Sequence, residues 1–193
     1  MSRLPWVLLL FAGCASPPPT RERLTEVGRD YRALTKVNAA YHWAPYLCRA
    51  DVPAPGVISR GMDVAPHARK LYNLYARHEG AYARGRVQPD DQVFVKESFE
   101  PMPAAPEEEA AWKTGWVPEG VARLDGRHYR PGAKKELYVM LRSEDPDADQ
   151  GWIYAVLTPE GAPVLSAGRL STCAECHVKA GPSRVFGLPR APR

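Results

Sequence analysis

The chain is poor in the residues that build most metal sites and short of the charge that marks a nucleic-acid surface. Its 193 residues hold four cysteines, five histidines and four methionines. Apart from one Cys-Ala-Glu-Cys stretch near the C-terminus, no two Cys or His residues form a doublet, and a four-ligand structural zinc site needs a second such pair. The formal net charge is only +4, and +3 without Arg3, which gives no electrostatic case for nucleic-acid binding. No internal repeat is visible. The apolar run that opens the chain, Trp6 to Gly13 behind Arg3, is too short to cross a bilayer as a finished helix.

That opening run reads instead as an export signal over residues 1–13. Phe11-Ala12-Gly13-Cys14 resembles a bacterial lipobox, so Cys14 is the expected site of lipidation and the chain is expected to stay tethered to a membrane. The absence of an acid directly after Cys14 leans the anchor towards the outer membrane, within a periplasmic or cell-envelope location. Residues 14–24, with Pro17-Pro18-Pro19, read as a stiff spacer, and residues 25–193 as a single domain.

What is present is concentrated at Cys173-Ala174-Glu175-Cys176-His177, which has the C-x-x-C-H spacing. Two thiols three positions apart on one turn can each add across a porphyrin vinyl group, and the histidine that follows is placed to bond the iron. Haem c, covalently held and one per chain, is the cofactor this predicts, with Cys173 and Cys176 binding it and His177 as its axial metal ligand. The alternatives are a zinc half-site or a dithiol redox pair. The first lacks its second pair, and the second belongs near the start of a βαβ unit, whereas this motif lies close to the C-terminus. Cys48 is left over, and reads as a small buried apolar residue.

Leu24, Val27, Tyr31, Leu34, Val37 and Tyr41 recur at helical steps, predicting an amphipathic helix that stops before Pro45. Residues 45–66 are dense in proline and glycine and read as irregular chain. Lys70 to Ala76 is ambiguous by period, and its aromatics tip it towards strand. Val93 to Glu97, closed by Pro101 and Pro103, is a further strand, with Phe94 and Lys96 on one face and Val93 and Val95 on the other. Leu137 to Leu141 and Trp152 to Thr158 form a strand pair around an acidic hairpin loop. The fold class this predicts is α+β, an antiparallel β-sheet with flanking helices and a C-terminal haem-attachment helix.

That pattern separates kinds of cytochrome. No methionine follows Cys176, since Met62, Met102 and Met140 lie upstream, so the layout of a small carrier with a downstream methionine ligand does not apply. The strand runs do not suit an all-helical haem bundle. Together, Tyr31-Arg32, Lys70-Leu71-Tyr72 leading to Ala81-Tyr82, Val95-Lys96-Glu97, Gly151-Trp152 and the closing C-x-x-C-H resemble the cytochrome P-460 family, which includes the cytochromes called c-prime-beta. The resemblance implies a largely antiparallel sheet with flanking helices, a homodimer, and a haem whose far side is open to small nitrogen compounds or gases. It also implies a redox partner protein. Members of the P-460 type carry a lysine bonded to the porphyrin edge and oxidise hydroxylamine or process nitric oxide, while c-prime-beta members lack that link and bind gases or pass electrons.

By that resemblance Lys96 falls on the position of the cross-linking lysine, and Phe94 on the same face would line the pocket. Hydroxylamine oxidation also needs a distal base, for which Glu136, Glu97 and Glu100 are possible by neighbourhood. His42, His67, His78 and His128 are potential sixth ligands that read better as surface or packing residues, as the family's open distal face implies. Asp145 to Gly151 has acids at alternate positions, but its glycine is one place late for a calcium loop, so it reads as a solvated turn. Glu107-Glu108-Glu109 behind Pro106 suits the first turn of a short helix. The arginines from Arg184 onward read as a loose terminus.

Overall fold

A computed structural model describes residues 20–37, 42–43, 70–84 and 87–186. The expected leader, Cys14, residues 15–19 of the spacer, Tyr41, Cys48, the proline-dense run with Met62, His67 and the arginines beyond Phe186 lie outside them. Among the described residues no helix is long and apolar enough to cross a membrane.

The chain enters through helix α1 (Thr20–Asp30), a 3-10 turn (Tyr31–Ala33) and two short strands, β1 (Thr35–Lys36) and β2 (His42–Trp43). Strand β3 (Leu71–Ala76), helix α2 (Glu79–Arg84), strand β4 (Val93–Pro103) and helix α3 (Pro106–Thr114) follow. Strands β5 (Ala122–Leu124), β6 (Arg127–Arg142), β7 (Trp152–Leu157) and β8 (Val164–Gly168) lead to helix α4 (Ser171–His177) and a last 3-10 turn (Val178–Ala180). All strand pairs described are antiparallel, in the order β1-β3-β4-β6-β7-β8, with β2 also on β3 and β5 on β6. The protein is therefore α+β, with an antiparallel sheet and flanking helices.

The sheet is buried on both sides, and the period of two sorts its residues between two cores. Across one face run Tyr75, Val95, Val139 and Ala155, then Glu97, Leu137 and Leu157. There Leu24 and Tyr31 close a core with Val93, Leu141, Ile153 and Val164. Leu24 has no exposed surface, and its burial contributes about 2 kcal/mol. The other face carries Leu74, Lys96, Tyr138 and Val156 in one row and Ala76, Phe94, Met140 and Tyr154 in the next. Cys173 and Val185 from the C-terminal segment pack there with Trp152.

Two elements differ from the sequence expectation. The first helix ends at Asp30 rather than running on towards Pro45. Tyr31 instead turns its hydroxyl onto buried Glu97, Leu34 is extended, and the Val37 amide donates to the Leu74 carbonyl at 2.8 Å. Sheet bonding thus wins over helical period, which Thr35 and Val37 support only weakly. The same helix starts at Thr20, whose hydroxyl donates to Asp145 at 3.1 Å. Strand β4 runs through Pro101 to Pro103 rather than closing before them: these residues pair with Pro131 to Tyr129 of β6, while β3 pairs no further along β4 than Phe99, and a proline without its N–H is tolerated on such an edge.

Helix α1 approaches the β7–β8 turn closely at Gly28. A Cβ there would lie 2.0 Å from the Gly161 carbonyl oxygen and 2.4 Å from Leu157 Cδ2. Gly28→Ala should therefore destabilise the fold by about 1–3 kcal/mol despite the better helix propensity of alanine, as urea unfolding would measure. A neutral or stabilising result would mean that the helix can lift off that turn.

Candidate functional site

Helix α4 is short, begins after Leu170 and closes on the C-x-x-C-H motif. The amides of Cys173 and Ala174 both donate to the Leu170 carbonyl, at 3.0 and 2.9 Å, which starts the turn. Positions three apart on a helix share a face, so Cys173 and Cys176 are both buried, each 8% exposed, and Cys173 packs against the Phe94 and Trp152 side of the sheet. The Cys173 thiol is free and its pKa is raised by burial. Cys176 is disulfide-bonded, so thioether chemistry at that sulfur first requires its reduction.

His177 leaves the helix with its imidazole held on three sides. Its Nδ1 lies 2.7 Å from the Arg184 carbonyl oxygen. A carbonyl can only accept, so Nδ1 carries the proton and the lone pair resides on Nε2. The rings of Tyr154 and Phe186 flank the imidazole, with centroids 5.3 and 5.5 Å away. Burial lowers the pKa of His177, which keeps the ring neutral and able to ligate.

Phe94 is 4% exposed, stacks on Trp152 at 5.5 Å and meets Tyr82 edge-on at 5.2 Å. Lys96 lies one row along, between Leu74 and Tyr138, with Nζ 4.2 Å from the centre of the Tyr72 ring. Among the described residues no carboxylate pairs with it. Burial, with repulsion from Lys70 as the lesser cause, lowers its pKa to about 7, and its charge in turn opposes protonation of His177. Lys70 donates to Glu136 and to the Tyr138 hydroxyl, both at 2.7 Å. The Lys70 bond holds the Glu136 carboxyl below its ordinary pKa. Ser98 is on the Tyr72 and Lys96 side of β4, and its buried hydroxyl has no partner among the described residues.

The three carboxylates considered as distal bases separate cleanly. Glu97 is on the opposite face of β4 from Lys96, 2% exposed and bonded to Tyr31 and Arg32 beneath α1, so it cannot serve a site on the Cys173 side. Glu100 is exposed and pairs with Lys135 at 3.4 Å. Glu136 alone is tied, through Lys70 and Tyr138, to the row that holds Lys96. Two histidines are also engaged elsewhere: His78 pairs with Asp91 at 2.7 Å, and His128 with Glu109 at 3.2 Å under Trp112. The glutamates after Pro106 open α3 as expected, Glu108 accepting from the Ala105 amide at 2.8 Å.

The acidic hairpin is the feature that sequence reasoning misread. Asp149 is 2% exposed rather than solvated, and its carboxylate accepts from Arg184 Nε and Nη2 at 3.0 and 3.1 Å and from Tyr154 Oη at 3.0 Å. Arg184, expected in a loose tail, is accordingly fixed, with only 12% of its side chain exposed. A lone Asp in a polar hairpin gave no sign of this, because its partner is 35 residues away.

These residues fit a haem held by C-x-x-C-H: two buried sulfurs on one turn, an imidazole whose outer nitrogen is fixed as protonated, an aromatic wall and one cation. No protein-family model matches the chain, and no curated protein matches it.

Proposed function

We propose that the chain is an exported, lipid-anchored mono-haem c-type cytochrome of the cytochrome P-460 kind, which oxidises hydroxylamine or processes nitric oxide. The observation that supports this reading is the His177 Nδ1 bond to the Arg184 carbonyl, which leaves the lone pair of the other ring nitrogen available for ligation beside two cysteines of the haem-attachment spacing. When bound, haem c supplies an iron that accepts electrons from a small nitrogen compound or holds a gas. Cys173 and Cys176 hold the group, His177 ligates it, and Phe94 with Trp152 keeps water from its edge. Lys96, about half unprotonated at pH 7, is the amine that would stand as the ring-modifying lysine of the P-460 type. Glu136, kept ionised by Lys70, is the carboxylate able to take up protons as a substrate loses electrons. Cys14 carries the lipid in a periplasmic or outer-membrane setting, a redox partner protein exchanges the electrons, and the chain works as a homodimer.

A second reading is supported by the placement of Lys96 over the Tyr72 ring, which can hold the amine as an unlinked cation. The protein is then a nitric-oxide-binding or electron-transfer cytochrome of the c-prime-beta type. Spectra of the mature protein and mass spectrometry of its haem peptide separate the two. A ferrous Soret band moved far to the red, with Lys96 bonded to the haem peptide, supports the enzyme. An ordinary high-spin c-type spectrum supports gas binding, and colourless mature protein overturns both.

Lys96 also leaves a mark on the haem-free chain. Its folded pKa lies below its unfolded one, so the folded state binds fewer protons and stability rises with pH from about 7 towards the ordinary lysine value. Lys96→Met should raise stability at pH 6 and flatten that rise, as thermal unfolding across pH would measure. An unaltered pH profile would mean that the amine is freely hydrated.

A further inference from the structure

We propose that Asp149 is a positioning residue for His177, acting through Arg184. The inference rests on the reading of His177 as the iron ligand, and it adds to it the device that fixes which nitrogen faces the iron. Residues 181–186 form a strap that returns over the imidazole after the last 3-10 turn. Ser183 accepts from Trp152 Nε1 at 3.0 Å, Val185 is 6% exposed in the second core, and Phe186 lies against the imidazole. The hydrogen bond to Nδ1, however, comes from Arg184.

Arg184 has φ of +58°, a left-handed conformation that costs a side-chain-bearing residue about 1 kcal/mol or more. Something must hold it there, and the Asp149 carboxylate does so through both oxygens. Asp149 is itself rigid. Its amide donates to the Trp152 carbonyl at 2.8 Å, the Trp152 amide donates back at 3.1 Å, and Tyr154 caps the carboxylate. The fork from Arg184 to Asp149 therefore fixes the backbone whose carbonyl receives the Nδ1 proton. Without it the Arg184 backbone can relax out of the left-handed region, the carbonyl turns away, and either imidazole nitrogen can carry the proton.

Outer-shell partners of a ligating histidine typically alter affinity or activity 10–100-fold, because they set its tautomer and basicity. Two readouts on the full chain follow. In haem-free protein, nitrogen-15 NMR of His177 should show an Nδ1–H to Nε2–H ratio at least tenfold lower in Asp149→Asn than in the unaltered chain. In haem-bearing protein, weaker donation from Nδ1 makes His177 a poorer electron donor, so the ferric–ferrous equilibrium should move about tenfold towards ferrous iron. Asp147→Asn, an exposed change in the same hairpin, should alter neither.

A folded Asp149→Asn variant with an unchanged tautomer ratio overturns the proposal. Should that variant fail to fold, Arg184→Met tests the same link, since methionine keeps the apolar stem but neither forms the fork nor favours the left-handed conformation. An unchanged ratio there overturns it equally. Because the tautomer is read without haem, a chain that takes up no haem refutes the cytochrome reading while the positioning role is still decided.

Discussion

The double variant Cys173→Ser, Cys176→Ser should lose both thioether links to haem, so that a denaturing gel of the matured, exported chain shows no haem stain once Lys96 is replaced by Met as well. The two sulfurs are the only cysteine sulfurs of α4, they are buried on one turn, and nothing else there can form a thioether. The single variants should each keep one link, with a pyridine haemochrome band displaced from that of the doubly linked protein. His177→Gly has a different signature: both links stay, while the iron loses its protein ligand and the spectrum becomes sensitive to added imidazole. Because Cys176 is disulfide-bonded, chains supplied with haem in the absence of a thiol reductant should be linked through Cys173 alone. Covalent haem in the variant that also lacks Lys96 would place the attachment elsewhere and remove the basis of the proposed function.

Period-two alternation made much of the sheet legible. Phe94 and Lys96 against Val93 and Val95 divided the two cores correctly, and the strand assignments at 70–76, 93–97, 137–141 and 152–158 match observed strands except that Lys70 and Thr158 fall just outside them. Helical period misled after Asp30, because Leu34 packs on one core and Val37 on the other, so a single stripe was drawn through residues on two sides of the sheet. The shared burial of Cys173 and Cys176 was readable because positions three apart on one turn share a face. The partners of His177 were not. Arg184 contributes a backbone carbonyl, which no residue type announces, and the pairing of Asp149 with Arg184 joins a hairpin to the C-terminal segment. The acid at position 97 was ambiguous for a related reason: sequence placed it next to Lys96, while the pleat put it on the other side of the sheet.

That placement gives Glu97→Ala the largest expected effect on stability, a loss of about 3–5 kcal/mol, as for breaking a buried charge network by removing one member. The carboxylate is 2% exposed and gathers Tyr31, Arg32 at 2.7 Å, Asn73 and Tyr75 both at 3.3 Å, and Lys134 at 3.8 Å. Its removal orphans donors from the 3-10 turn after α1, from β3 and from β6 at once, and the cost of an unmade buried bond falls on the buried ones, Tyr31 and Asn73. Burial alone would raise the pKa of Glu97, but the bonds from Tyr31, Arg32 and Asn73 more than offset it and leave the carboxyl below its ordinary value. The folded state therefore binds fewer protons than the unfolded chain as pH falls through the carboxylate range. The contribution of Glu97 is present in full above the unfolded value, about pH 4, and is lost as pH drops through the lower folded one. Urea unfolding should accordingly show the difference between Glu97→Ala and the unaltered chain shrinking towards acid, together with a fall in melting temperature on the order of 10 °C at pH 7. The haem-side features should be untouched, since Cys173, His177 and Lys96 are on the far face of the sheet. A variant with unchanged stability would mean that water, rather than α1, covers that face of the protein.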